Sequence, residues 1–104
     1  MTYEVAPVVD SQLATIAAFI RRDNPDAARR FLDAVYTDFE FVGAWPEASP
    51  LARFRNPSLK NVRYRPVRRP FQNYLIFYRV ESEHVQIGSV LWGGMNWTDD
   101  LNVF

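Results

Sequence analysis

Few side chains in this sequence have a type and spacing suited to acid–base or nucleophilic chemistry. His84 is the single imidazole, and it stands beside Glu81 and Glu83 in a stretch with hairpin-turn character. It reads as a solvent-exposed turn residue before it reads as a general base. Asp99 and Asp100 could in principle hold a divalent metal, but adjacent carboxylates in a tail without periodicity read as solvated. There is no cysteine, which excludes a disulfide framework, a thiolate metal site and a thiol nucleophile. Gly93-Gly94 closes an apolar run and reads as a bulge or tight bend, not as a phosphate-cradling loop. Neither a metal nor a cofactor is expected.

The cationic residues are more informative. Twelve basic and twelve acidic residues cancel over the whole chain. Divided along it they do not: residues 1–52 carry eight acids against four arginines. Residues 53–80 carry Arg53, Arg55, Lys60, Arg63, Arg65, Arg68, Arg69 and Arg79 and no acid. Residues 81–104 carry Glu81, Glu83, Asp99 and Asp100 and no lysine or arginine. Such blocks point either to a basic surface with an anionic partner or to neutralisation by the folded acids. Seven of the eight cations in the basic block are arginine, which suits planar, bidentate recognition of carboxylate or phosphate. Tyr64, Phe71, Tyr74 and Tyr78 lie among them. Interleaved cations and aromatics fit single-stranded RNA, an acidic protein segment, or a core overlaid by ordinary surface.

The elements that must position these residues follow from periodicity. A chain of 104 residues with 48% apolar and 15% aromatic content is expected to form one domain, 1–104, and is far from the composition of a disordered chain. No apolar run approaches the roughly 18 residues of a membrane span, and no signal-peptide pattern opens the sequence, so a cytoplasmic protein is expected. Thr2 to Val5 alternates as a short edge strand, and Pro7 suits a helix start. Leu13, Ile16, Ala17 and Ile20 then repeat with one-faced helical spacing. Asn24-Pro25 supplies an N-cap and a first-turn proline for a second helix, with Ala28, Phe31, Leu32, Val35, Phe39 and Val42 inward and a stop at Gly43. Ala44 to Lys60 reads as a loop with at most one helical turn. From Val62 the period is two, with Val62 and Tyr64 against Arg63 and Arg65. Asn73 to Val80 is a strong strand, Glu81 to His84 its turn, and Val85 to Trp92 a central partner strand. The fold class is α+β in the order β-α-α-β-β-β, with the N-terminal strand and helical hairpin packed on a mainly antiparallel sheet. One face of the Asn73–Val80 strand is left for the tail or a partner to cover.

Several of these stretches resemble the RelE/ParE superfamily of bacterial type II toxin–antitoxin toxins. They are Asn24-Pro25-Asp26-Ala27-Ala28, Arg63 near a strand start, the string Phe71 to Arg79, Val85-Gln86-Ile87, and Val90-Leu91. The resemblance spans about residues 3–97 and implies the fold already read from periodicity. In RelE-like members, which cut messenger RNA on the ribosome, it implies catalytic arginines at positions that hold Leu75 and fall near Met95 here. Both are apolar, so the resemblance favours the ParE-like branch, which poisons DNA gyrase. The usual ParE-like ending, a His-Gly-Ala-Arg-Asp-like stretch, is replaced by Trp92-Gly93-Gly94-Met95-Asn96. A toxin, a ribonuclease using Arg63, Arg65 and Arg79, and an attenuated antitoxin-binding module are the three readings.

The resemblance implies a cognate antitoxin as partner in a hetero-oligomer, possible action on gyrase, no membrane association and no sequence-specific DNA binding by this chain alone. The expected antitoxin tail is acidic and amphipathic, folding on binding with salt-sensitive affinity. Arg63, Arg65, Arg68, Arg69, Tyr74, Tyr78, Arg79 and Trp92 form the candidate surface for antitoxin or target. Trp92, close in sequence to Leu91 and Trp97, is expected to pack in the core or as a lid in preference to anchoring a partner.

Overall fold

The computed structural model describes residues 2–94. Strand β1 (Thr2–Val5) leads into helices α1 (Pro7–Arg21) and α2 (Pro25–Ala44), followed by a 3-10 turn at Pro57–Leu59. Strands β2 (Arg63–Pro66), β3 (Tyr74–Glu81) and β4 (His84–Trp92) complete the order expected from periodicity. The Asn24 side chain accepts a hydrogen bond from the Ala27 N–H at 3.0 Å, and Pro25 opens α2. This satisfies one of the orphan donors of the helix and fixes the short turn between α1 and α2.

The sheet order is β1-β4-β3-β2. Strand β1 runs parallel to β4, while β2–β3 and β3–β4 are antiparallel. Strand β4 is therefore central over its first half, where β1 and β3 flank it. The β3–β4 turn is Ser82-Glu83, with Ser82 in the left-handed region at φ 54. Phe77 pairs with Ser89 and Tyr78 with Ile87, so Gly88 is the extra residue of a bulge. Gly93-Gly94 forms a turn after β4, the tight bend expected of it.

The helical hairpin covers one sheet face. Val9 and Leu13 of α1 and Phe31, Val35, Phe39 and Val42 of α2 close on Ile76, Tyr78, Val85, Ile87 and Val90. On the opposite face Leu75 and Phe77 pack with Ala52, Val62, Phe54, Leu59 and Tyr64, so the segment between α2 and β2 contributes cover that periodicity did not reveal. The tail expected there lies outside the described residues. Its backbone is tied down by Ala52 N–H to Val62 O at 2.8 Å and Tyr64 N–H to Pro50 O at 3.1 Å. The three prolines of this segment hid its sheet-like pairing from a periodicity reading.

Candidate functional site

Two of the basic-block arginines turn to the C-terminal half of α2, and a third meets the loop beyond it. The Asp38 carboxylate is fully buried and gathers two of them. Its Oδ1 accepts from Arg65 Nε at 3.1 Å and from Arg68 Nε and Nη2 at 3.1 and 2.9 Å. Its Oδ2 accepts from the Arg68 backbone N–H at 2.8 Å. Arg65 also lies 4.0 Å from the centroid of the Phe41 ring. One carboxylate between two guanidiniums leaves a local surplus of positive charge, while holding both side chains in fixed directions. Asp38 escaped the sequence reading, although its spacing from Phe31, Val35 and Val42 placed a charge on the apolar stripe of α2.

Arg63 donates to the Ser49 carbonyl at 2.6 Å, and Arg79 donates through Nε to Glu81 at 2.7 Å. Arg69 is exposed beside Arg68. Tyr74 packs edge-on against Phe31 with ring centroids 5.3 Å apart. Tyr78 requires a correction as a contact residue. It is fully buried, and its hydroxyl donates to the Pro46 carbonyl at 2.7 Å. It ties β3 to the end of α2 and presents nothing to a partner. Trp92 is also corrected: it is 53% exposed, so it is no core residue, and its indole lies over Gly94. Trp97, Met95, Asp99 and Asp100 lie outside the described residues. The candidate residues thus split: Arg65 and Arg68 share Asp38, Arg63 meets the Ser49 carbonyl, and Trp92 stands two strands away from β2 at the C-terminal end of β4. His84 opens β4 half-buried, 3.6 Å from the Glu4 carboxylate, and is more sheltered than a solvated turn residue.

Burial raises the Tyr78 phenol above its ordinary value of 10.0, against a smaller opposing pull from Ser49, Arg63 and Arg65. Tyr3 is raised as well, by burial and by the nearby Glu40 carboxylate. A phenol raised by folding gives stability that is fully present below about pH 10 and is lost as pH climbs through the folded value. Alkaline unfolding is therefore expected to begin above about pH 10. Tyr78→Phe should lose about 1 kcal/mol at neutral pH with the Pro46 hydrogen bond, and should flatten the alkaline decline. Denaturant titrations at a series of pH values measure both.

Trp92 separates two recesses. One, of about 500 Å³, is lined by Gln72, Asn73, Leu75, Trp92, Gly93 and Gly94. Leu75 is 9% exposed and packs with Ala52, Val62 and Phe77. The other, of about 320 Å³, lies between α1 and β4. Among the described residues no three His, Asp or Glu side chains gather to hold a metal, and no helix is long and apolar enough to cross a membrane.

These features define an α+β fold that holds Arg65 and Arg68 on the Asp38 carboxylate and Arg63 on the Ser49 carbonyl. The family model for the ParE toxin of the type II toxin–antitoxin system parDE matches residues 3–97, and the chain belongs to that family. The comparison with curated proteins finds no match. The protein is a toxin of the type II class, and its family implies a cognate antitoxin as partner.

Proposed function

We propose that this toxin arrests growth by acting on DNA gyrase in the cytoplasm, without nuclease chemistry, and that its cognate antitoxin neutralises it in a hetero-oligomer. The observation that carries the reading is Leu75. The position where a ribonuclease relative would carry a catalytic arginine holds an apolar side chain buried against Phe77 and Val62. A site without that cation lacks the charge that would stabilise a phosphoryl transition state. The arginines near α2 are engaged by Asp38 and Ser49, which suits a fixed recognition surface better than a mobile catalytic group.

Induced expression is expected to stop growth, and co-expression of the antitoxin to restore it. Purified toxin should inhibit supercoiling by gyrase in vitro while leaving messenger RNA intact on translating ribosomes. Site-specific cleavage of message in the ribosomal A site, with gyrase unaffected, would overturn the proposal.

A further inference from the structure

Strand β4 outruns its neighbour. The pairing of β1 with β4 ends at Val5 with Ile87, and after the Ala6 N–H donates to the Ile87 carbonyl the chain leaves the sheet into α1. Strand β4 continues to Trp92, so its last residues have β3 on one side and, among the described residues, no strand on the other. The direction of its main-chain groups follows from the ladder. Gly93 N–H donates to the Asn73 carbonyl, which makes Gly93 and Leu91 the positions bonded to β3. Val90 and Trp92 alternate with them, so their N–H and C=O groups face the open edge.

The edge is partly satisfied by a substitute. The Gln12 carboxamide oxygen of α1 accepts from the Val90 N–H at 2.8 Å, in the place an adjacent strand's carbonyl would occupy. Beside this bond lies the 320 Å³ groove, whose walls include Ser11, Thr15, Ile16, Leu91 and Trp92 and carry no charged side chain. Val8 and Phe19, both exposed, flank Gln12 and Thr15 at helical spacing and extend the apolar surface along α1.

We propose that this open edge of β4 receives an extended, uncharged segment of the antitoxin as an added strand, with Gln12 as the placeholder it displaces. The inference rests on the antitoxin reading and names the surface it uses. Its occupant must be an extended main chain, because the edge turns the Trp92 N–H and the Val90 and Trp92 carbonyls outward beside the Val90 N–H that Gln12 holds, and must be apolar at alternate positions, because the walls are. A charged side chain would lose hydration there without meeting a counter-ion.

Hydrogen–deuterium exchange on the co-expressed toxin–antitoxin complex tests this without any mutation. The Trp92 amide should be strongly protected in the complex and exchange quickly in free toxin. Two variants separate main chain from side chain. Trp92→Ala removes the indole and keeps the N–H, whereas Trp92→Pro removes both at an outward position that a sheet edge tolerates. Proline should bind antitoxin about tenfold more weakly than alanine. Gln12→Ala should lower the melting temperature of free toxin yet tighten antitoxin binding by about threefold, since no substitute bond is displaced. A stable complex in which the Trp92 amide exchanges as in free toxin, and in which the alanine and proline variants bind alike, overturns the added strand and leaves the antitoxin reading standing. Failure of any complex to form overturns both.

Discussion

Asp38→Ala is expected to destabilise the toxin by about 3 kcal/mol, the lower end of the range for breaking a buried ion pair. The carboxylate is fully buried, and its loss strands the two guanidiniums and the Arg68 backbone N–H at once. The figure lies at the lower end because Arg65 and Arg68 are 25% and 44% exposed and can turn their charge toward water. Asp38→Asn keeps an acceptor for one donor and should cost roughly half as much. Chemical denaturation gives both numbers, provided the slope with denaturant is unchanged. A loss below about 1 kcal/mol for alanine would make the cluster a surface ion pair of little weight. The consequence for function is directional. Asp38 joins α2 to β2 and to the β2–β3 connection, so the same substitution frees the arginines that we assign to recognition. Affinity for the antitoxin should then fall even at temperatures where the variant is folded.

Much of the fold was legible because its periodicities are strong and its punctuation is explicit. Asn24-Pro25 marked the start of α2 by chemistry that the structure reproduces, a side-chain cap followed by a proline. The alternation from Val62 and the run from Asn73 to Val80 located β2 and β3 to within a residue. What could not be read was which partner each residue would meet. The segment after α2 has no periodicity, yet its Ala52 and Phe54 cover the second sheet face through a few backbone bonds. The basic block, continuous in sequence, is divided by the pleat: Arg63 and Arg65 lie on the α2 side because they stand opposite Tyr78 and Ile76. Alternation predicted a cationic face on β2, but not the carboxylate waiting for it on α2. For Trp92, closeness in sequence to Leu91 and Trp97 suggested a core or lid role; the core role fails because β1 stops short of it and the side chain stays half exposed, its ring against Gly94.

Phe31→Ala should have the largest effect on stability, a loss of about 3–5 kcal/mol. Phe31 has no exposed surface, and it meets Phe71 and Tyr74 edge-on with centroids 5.4 and 5.3 Å away. Truncation removes the apolar transfer of a whole ring and two aromatic pairs, and leaves a cavity between α2 and the start of β3. Against a total stability of about 5–15 kcal/mol for a domain of this size, the variant would be near the limit of folding. Phe31→Leu keeps most of the volume and should cost far less, which separates the cavity from a general intolerance of change. The pair also settles what Tyr74 does. If Tyr74 serves chiefly as a ring partner of Phe31, Tyr74→Phe will leave both stability and antitoxin affinity nearly unchanged. A large loss of affinity in Tyr74→Phe with an unchanged melting temperature would return its hydroxyl to the recognition surface beside Trp92, its register partner across the sheet.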